Sequence, residues 1–266
     1  MLSKMRITSR QNSIVARYRA VAHGDVEGLL LLDGAHLVHD ALAAGVAIDH
    51  AAIDVDAAER GDITQLVAAL HAKGVETVTA TAAVMRAISP VRSPTGIVAI
   101  ALRPERDIDD FYQGPAPLVV IANDIQDPGN LGAIVRVAEA AGASSVLATG
   151  ASADPFSWKA LRGSMASGLR LPVDRVDDVG RAVAEARTRG CRIIATVPRD
   201  GRSLFDVNLR ASTAVLIGGE GRGLPDALTS SADERVTIPM QAPVESLNAA
   251  VTAALVLYEA RRQRLR

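Results

Sequence analysis

A strand, a polar turn, a helix and a second strand follow one another between Leu118 and Thr149, and this unit constrains the fold more than any other stretch. LVVIA is an unbroken apolar run typical of a buried strand, and SSVLAT is the next one. Between them, residues 130–141 place apolar side chains at helical spacing and end at Gly142. Because strands joined through a helix run parallel, the sequence predicts an α/β fold with a parallel sheet.

The stretch LRPERDIDDFYQGPAP, which begins at Leu102, separates this unit from an earlier part of the chain. It contains three prolines and four acidic residues and has little periodicity, which is typical of a linker. Before it, strands such as GLLLLD alternate with helical patterns such as GAHLVHDALAAG, as in a small α/β domain. We therefore predict a first domain over residues 1–103, a linker over 104–116 and a second domain over 117–266.

Composition excludes several classes of protein. A net charge of −1 excludes a strongly basic, histone-like binder, although local patches can still be basic. The single cysteine, Cys191, excludes a disulfide framework. His36 and His39 lack further ligands at suitable spacing, so we expect no metal. The sequence has no apolar run of the ~20 residues that span a bilayer and no secretory signal, so we expect a cytoplasmic protein without membrane contact.

Two arginine-rich segments provide local positive charge. The cationic residues that precede the first acidic residue are Lys4, Arg6, Arg10, Arg17 and Arg19. The second segment is the C-terminal RRQRLR. Arginine suits contacts with phosphate because its planar group donates several hydrogen bonds at once. A solvated helix face without a ligand is the alternative interpretation of each segment.

Three turn-rich stretches each follow the end of a predicted strand. In the first, DPGNLGAIVRVAEAAGA, Asp127-Pro128-Gly129 forms a turn and Asn130 can cap the following helix. Arg136 lies nearly two turns further on. It has either a role in a ligand site or a weak surface ion pair with Glu139, three residues away.

The second stretch, LIGGEGRGLP, contains four glycines that let the backbone approach a ligand closely. Their spacing matches neither a dinucleotide fingerprint nor a phosphate-binding P-loop. Glu220 among these glycines argues against a phosphate and favours a cation or the amino and hydroxyl groups of a ligand. Pro225 then predicts the start of a helix.

The third stretch, IPMQAPVESLNAAVTAALVLYEA, leads into a helix predicted from about Ser246 to Arg262. That helix is apolar nearly all round, which favours a helix–helix interface between two subunits. Ser246 is either a plain N-cap or part of a site, and the amide of Asn248 needs partners if it is buried. Because ligands gather at the carboxyl ends of parallel strands, the three stretches predict one site.

The three stretches resemble, in order, the three motifs of the SpoU/TrmH RNA 2′-O-ribose methyltransferases of the SPOUT superfamily. The first domain, with LLLLDGAHLVHDALAAG and SPTGIVAIAL, resembles the L30e-like RNA-binding domain of many members. WKALRGSMASGLRLPV resembles a further family segment. The whole layout is similar to the thiostrepton-resistance methyltransferase subgroup, which modifies an adenosine ribose in large-subunit ribosomal RNA.

The resemblance implies an N-terminal L30e-like α/β domain and a C-terminal SPOUT α/β domain whose parallel sheet contains a trefoil knot. It also implies a homodimer and S-adenosylmethionine as the cofactor, with 2′-O-ribose methylation of RNA as the reaction. Ribosomal RNA is favoured over transfer RNA. A transfer RNA methyltransferase and a catalytically inactive RNA-binding protein stay open as alternatives, whereas the glycine spacing disfavours a nicotinamide-linked oxidoreductase.

The resemblance also implies roles for individual residues. The catalytic or motif positions are Arg136, Asn130, Glu220, Ser246 and Asn248. The cofactor-contacting positions are Thr196, Val197, Pro198, Gly218, Gly219, Ile238 and Leu247. The positions expected to contact RNA are Arg10, Arg17, Arg19, Arg162 and Ser164.

We expect Arg136 to contact the target phosphate or 2′-hydroxyl and to favour the developing alkoxide, with Asn130 orienting either Arg136 or the ribose. The chain departs from the family pattern at Ala242, where members often have glycine, and Pro243 follows it. This departure puts the backbone of the cofactor loop in question.

Overall fold

The computed structural model describes residues 5–265 and divides into two compact units. The first unit extends to Glu105 and also takes in Phe156–Arg162. The second comprises Arg106–Pro155 and begins again at Gly163. Lys4, from the N-terminal arginine-rich segment, lies outside the described residues.

The first unit is a sheet covered by helices. Its strands are β1 (Arg6–Ile7), β2 (Leu29–Asp33), β3 (Ile48–Asp54), β4 (Glu76–Ala80) and β5 (Ile97–Leu102). Its helices are α1 (Ser13–His23), α2 (Ala35–Ala43), α3 (Gly61–Ala72) and α4 (Ala82–Ile88). The strand order is β1-β4-β3-β5-β2, and β5 is antiparallel to both of its neighbours.

The core of this unit forms between the sheet and the pair α1 and α4. Tyr18 of α1 is fully buried, and its hydroxyl lies 2.8 Å from Nδ1 of His50 on β3. Helix α1 begins at Ser13, where the Asn12 side chain caps it by accepting from the amide of Ile14.

The second unit is a parallel sheet with helices on its faces. Its strands are β6 (Leu118–Asn123), β7 (Ser145–Thr149), β8 (Val173–Val176), β9 (Arg192–Thr196), β10 (Arg202–Ser203), β11 (Thr213–Gly218) and β12 (Glu234–Thr237). Its helices are α5 (Pro128–Ala141), α7 (Ser167–Arg170), α8 (Val179–Thr188), α9 (Asp226–Ser231) and α10 (Ala249–Arg264). Helix α6 (Trp158–Gly163) belongs to the first unit except for its last residue.

The strand order of this sheet is β10-β12-β9-β11-β6-β7-β8, and all its pairs are parallel. The predicted α/β fold with a parallel sheet is confirmed. Strand β11 lies between β6 and β9, so the carboxyl ends of these three strands open onto one edge of the sheet. Two of the turn-rich stretches leave the sheet at this edge.

The stretch predicted as a linker is more ordered than its composition indicates. Residues Ile108–Tyr112 form a 3₁₀ helix with a capping box between Asp107 and Asp110. Phe111 and Tyr112 are buried in the core of the second unit. Phe111 and Tyr112 each remove a large apolar area from water when they are buried. This burial keeps the segment ordered despite its acidic residues.

Helix α10 begins at Ala249 and extends to Arg264, so the predicted span of about Ser246 to Arg262 is too early at both ends. One face of α10 is buried, and the helix packs against α5. Its opposite face leaves Val251 47%, Leu255 43% and Tyr258 52% exposed. In the described part of the chain, no helix has the combination of length and apolarity that crossing a membrane requires.

Candidate active site

Side chains from the three turn-rich stretches meet in one hydrogen-bonded group, the polar triad of Asn130, Glu220 and Asn248. Nδ2 of Asn248 donates to Oδ1 of Asn130 at 3.1 Å and to Oε1 of Glu220 at 3.3 Å. Nδ2 of Asn130 also donates to Oε1 of Glu220. The residues are 28 to 118 positions apart in sequence, so the fold alone brings them together.

Asn248 also caps helix α10. Its Oδ1 accepts a hydrogen bond of 2.9 Å from the amide of Ala250 and one of 3.4 Å from the amide of Val251. The alternative in which Ser246 is the N-cap is therefore wrong. Because the cap fixes the oxygen of this amide, the nitrogen is directed toward Glu220, and one side chain has both a structural and a site role.

Helix α5 begins at Pro128, two residues before the predicted Asn130. Its N-cap is Asp127, whose Oδ1 accepts a hydrogen bond of 2.9 Å from the amide of Asn130. The prediction that Asn130 caps this helix is wrong, because Pro128 occupies the first helical position and Asp127 precedes it. The Asn130 side chain is thereby available to the polar triad.

The glycine-rich loop folds back onto the end of β11. A β-bridge joins Gly219 to Gly223. A Cβ atom at Gly218 would lie 2.5 Å from the backbone carbon of Gly223, and one at Gly219 would lie 2.1 Å from the carbonyl oxygen of Asp124. These contacts leave no room for a side chain, so the loop requires glycine at both positions. The close packing places Glu220 at the edge of the sheet.

A cavity of about 650 Å³ opens beside the polar triad. The predicted site residues that line it are Thr196, Val197, Pro198, Gly218, Gly219, Glu220, Ile238, Ser246, Leu247 and Asn248. Every predicted cofactor-contacting position is in this set. Asn130 and Arg136 are not lining residues, although Asn130 reaches the cavity wall through its bonds to Glu220 and Asn248.

The cavity has further lining residues that were not predicted, among them Arg222, Leu224, Met240 and Thr252. All four lie inside the quoted motifs, so their position in the motifs could have indicated them. Thr252 lies one turn after Asn248 on α10, and helical spacing places it on the same side of the helix. The peptide bond between Ala242 and Pro243, at the departure from the family pattern, is cis.

Arg136 is exposed on α5 and makes no hydrogen bond or ion pair with the described residues. The alternative partner Glu139 instead accepts two hydrogen bonds from Arg170, at 2.7 and 2.8 Å. Burial acts to raise the pKa of Glu139, but hydrogen bonds from Arg170 and Ser167 outweigh it and the pKa lies below its ordinary value. A surface ion pair with Glu139 therefore does not explain Arg136.

No hydrogen bond between Asn130 and Arg136 is present in the described part of the chain, so the structure does not support the expectation that Asn130 orients Arg136. The amide nitrogen of Asn130 bonds to Glu220 and its oxygen accepts from Asn248. Six residues along a helix correspond to about 240° of rotation, so the two side chains leave α5 on different sides. Orientation of the ribose by Asn130 stays a prediction.

The residues expected to contact RNA lie in different environments. In the first unit, Arg10, Arg19 and Arg162 are exposed. Arg17 is held by an ion pair of 2.8 Å with Asp49. In the second unit, Ser164 is only 1% exposed, so the surface that an RNA could reach does not include its side chain in this conformation.

Comparison with known proteins identifies the family to which the residues of this site belong. Residues 117–258 match the SpoU rRNA Methylase family, and this range contains the whole polar triad and the cavity. The chain belongs to the SpoU rRNA methylase family. This confirms the resemblance that the three motifs indicated.

Individual relatives extend the similarity over nearly the whole chain. A Synechocystis protein described as an uncharacterized tRNA/rRNA methyltransferase is 34% identical over 97% of this chain and 93% of its own length. A Bacillus subtilis protein named 23S rRNA (guanosine(2553)-2′-O)-methyltransferase is 29% identical over 87% of this chain and 88% of its own. An AdoMet-bound rRNA methyltransferase from Sinorhizobium meliloti superposes with a TM-score of 0.86 at 29% identity, covering 97% of both chains.

Proposed function

We propose that this chain is an RNA (ribose-2′-O)-methyltransferase that uses S-adenosylmethionine and takes 23S ribosomal RNA as its substrate. The observation that carries the proposal is the convergence of Asn130, Glu220 and Asn248, one from each family motif, at the wall of a single cavity. The Bacillus subtilis relative is named for 2′-O-methylation of 23S rRNA, and the Sinorhizobium meliloti structure is described as AdoMet-bound.

The cavity fits S-adenosylmethionine in size and in chemistry. Its volume of about 650 Å³ lies within the usual range for small-molecule sites. Apolar walls at Ile217, Ile238 and Leu247 suit an adenine ring, and the carboxylate of Glu220 suits a ligand with cationic groups. We infer that Thr196, Val197 and Pro198 contact the adenosyl part, because they line the same cavity at the end of β9 and just after it.

S-adenosylmethionine supplies an activated methyl group on sulfur, so the reaction needs no metal. The chain must then hold the ribose oxygen in line with that methyl group and favour loss of the hydroxyl proton. Arg136 is suited to the second task, because a guanidinium donates hydrogen bonds and stabilises negative charge on the oxygen. A guanidinium has no acceptor lone pair, so in this proposal Arg136 stabilises the developing alkoxide and the hydroxyl proton passes to solvent water as the methyl group leaves sulfur.

The polar triad has a positioning role. Two amide donors converge on Oε1 of Glu220, which orients this carboxylate and satisfies one of its oxygens. Among the described residues, Oε2 of Glu220 has no hydrogen-bond partner, so it can accept from a ligand in the cavity. Ser246 lines the same cavity, and we infer that its hydroxyl contributes to the site.

A homodimer is part of the proposal. Val251, Leu255 and Tyr258 are spaced four and three residues apart on α10, so they form one exposed apolar stripe. An apolar stripe on an otherwise buried helix is stabilised when a second helix covers it, and the same helix of a second subunit would do so. The trefoil knot, the role of the first domain in gripping RNA and a cytoplasmic location belong to the same proposal.

The test uses S-adenosylmethionine with a labelled methyl group and unmodified 23S ribosomal RNA and transfer RNA transcripts. We expect label in the ribosomal RNA, at a position that resists alkaline cleavage because its 2′-oxygen is blocked. Label in transfer RNA alone would show that the substrate is transfer RNA and not 23S ribosomal RNA. No label in either RNA together with no binding of S-adenosylmethionine in calorimetry would overturn the enzymatic function.

A further inference from the structure

The first unit contains two long stretches without acidic residues, 1–24 and 77–104. The structure brings their described parts together, because β1 pairs with β4 and α1 packs against α4. Neither helix carries an acidic side chain. The arginines of the two stretches therefore lie on a part of the surface where few carboxylates from the same segments can neutralise them.

Two of these arginines are fixed against the backbone of α4. Nε of Arg10 donates to the carbonyl oxygen of Ala83 at 3.3 Å, and Nε of Arg19 donates to that of Ala87 at 2.9 Å. The two carbonyls are four residues apart, which corresponds to ~6 Å along the helix. Among the described residues, neither arginine has an ion-pair partner, so their terminal nitrogens keep their hydrogen-bond donors.

Arg86 adds a third positive charge at the same place. It lies on α4 three residues after Ala83 and one before Ala87, on the side away from the buried Val84, Met85 and Ile88. Arg86 is exposed and makes no ion pair with the described residues. We call Arg10, Arg19 and Arg86 the α1–α4 arginine surface.

Arg17 does not belong to this surface. It lies two residues before Arg19 on α1, about 200° around the helix, and therefore on another side. There it forms an ion pair of 2.8 Å with Asp49 of β3. A carboxylate that already neutralises an arginine weakens its attraction for phosphate.

We propose that the α1–α4 arginine surface binds consecutive phosphates of the RNA backbone and holds the substrate on the first unit. This inference rests on the proposed function and adds Arg86 to the expected RNA contacts while removing Arg17. Phosphate is the group the surface recognises, because its three arginines offer guanidinium donors, two of which are fixed against α4. Because the Nε bonds already hold the side chains of Arg10 and Arg19 in place, these side chains lose less conformational entropy when they bind a phosphate.

The test measures binding of the full-length protein to an unmodified 23S ribosomal RNA transcript by filter binding, between about 50 and 200 mM salt. The test variant combines Arg10→Gln, Arg19→Gln and Arg86→Gln. The matched control combines Arg17→Gln, Arg60→Gln and Lys73→Gln, which removes the same charge elsewhere on the first unit. The single variant Arg86→Gln keeps the test meaningful should the triple variant be unstable, because Arg86 has no described hydrogen bond to lose.

We expect the test variant to lower the slope of log affinity against log salt by about two, and the affinity by roughly tenfold or more, with S-adenosylmethionine binding unchanged. The control is expected to change both quantities much less. Equal weakening by the two triple variants would overturn the inference, since only net charge would matter, and so would wild-type binding by the test variant. A wild-type protein that binds and methylates no RNA would instead overturn the proposed function.

Discussion

The two arginine-rich segments of the sequence look alike in composition but differ in what their guanidinium groups bind. Arg10 and Arg19 of the first segment each use one nitrogen on a carbonyl and keep their terminal donors exposed. In the C-terminal segment, Arg264 donates to the carbonyls of Leu209, Ala116 and Ala211 at 2.6–2.8 Å.

Arg262 of the C-terminal segment is likewise occupied, with two hydrogen bonds of 2.7 Å to the buried carboxylate of Glu259. Positive charge in a sequence therefore indicates nothing about ligands until its partners are known. Where internal acceptors use the donors, an arginine stabilises the fold; where they do not, it remains able to bind an anion. Arg136 belongs with the second kind.

The largest effect is expected at Arg136, an arginine without a partner among the described residues that lies six positions after Asn130 of the polar triad. Arg136→Ala should lower methyl transfer by about 100-fold or more, as removal of a group that stabilises a developing negative charge does, and leave the melting temperature unchanged. The assay is single-turnover transfer of labelled methyl groups to ribosomal RNA.

The matched control for this experiment is Arg181→Ala, an exposed arginine on α8 that makes no hydrogen bond with the described residues. It should retain wild-type activity. Full activity of the Arg136→Ala variant would show that Arg136 is not catalytic. The proposed difference in role between Arg136 and structural arginines such as Arg264 would then be wrong.

The opposite behaviour is expected of Arg264. Arg264→Met should lower the free energy of unfolding by about 2–4 kcal/mol, because it leaves three backbone carbonyls without their charged donor. Chemical denaturation monitored by circular dichroism measures this change. The affinity for RNA should stay within about twofold of the wild type. A strong loss of RNA affinity in a folded Arg264 variant would show that the C-terminal segment also binds RNA.

The apolar stripe of α10 gives a prediction of intermediate size. Leu255→Arg places a charge in the proposed dimer interface and should raise the dimer dissociation constant by roughly 10- to 100-fold. Analytical ultracentrifugation over a range of concentrations measures it. Arg181→Ala again serves as a control that should stay dimeric. A wild-type protein that sediments as a monomer at micromolar concentration would contradict the dimer.

The smallest effect tests whether Arg136 is unpartnered because Arg170 occupies Glu139. In Arg170→Gln, Glu139 becomes available to Arg136 three residues away, and methyl transfer should fall by about twofold. The double variant Arg170→Gln/Glu139→Gln should recover the activity. An unchanged rate in the single variant would mean that Glu139 does not reach Arg136.

The same pair predicts a pH dependence of stability. The pKa of Glu139 is lowered in the folded state, so its contribution is present above the ordinary value of 4.5 and is lost as the pH falls through the lower, folded value. Arg170→Gln should remove about 1 kcal/mol or less of stability at neutral pH and flatten the acid side of the stability profile. Urea unfolding at several pH values below 7 checks this.

The elements of the second unit could be predicted well because each carries a local pattern. Apolar runs at β6, β7 and β11 and the helical spacing of α5 are properties of short segments, and the structure confirms them. The three motifs could also be found, since the ends of parallel strands must meet at one edge of the sheet.

The details of the site depended on distant partners and could not be predicted. Ser246 and Asn248 are both good N-cap residues, and Asn248 caps the helix in a structure where its nitrogen also reaches Glu220. In the same way, Asp127 rather than Asn130 caps α5. The role of Arg17 depends on Asp49, and that of Arg264 on carbonyls 53 to 148 residues away, which no local pattern contains.

Asn248 joins the first turn of α10 to the polar triad through a single amide group. Fraying of that turn would rotate the amide and break its hydrogen bonds to Glu220 and Asn130 at the same time, so local opening of the helix and loosening of the cavity wall are one event. The amide protons of Ala250 and Val251 are bonded to this side chain. Their hydrogen-exchange rates consequently report how often the cavity wall opens, in a protein without any attached probe.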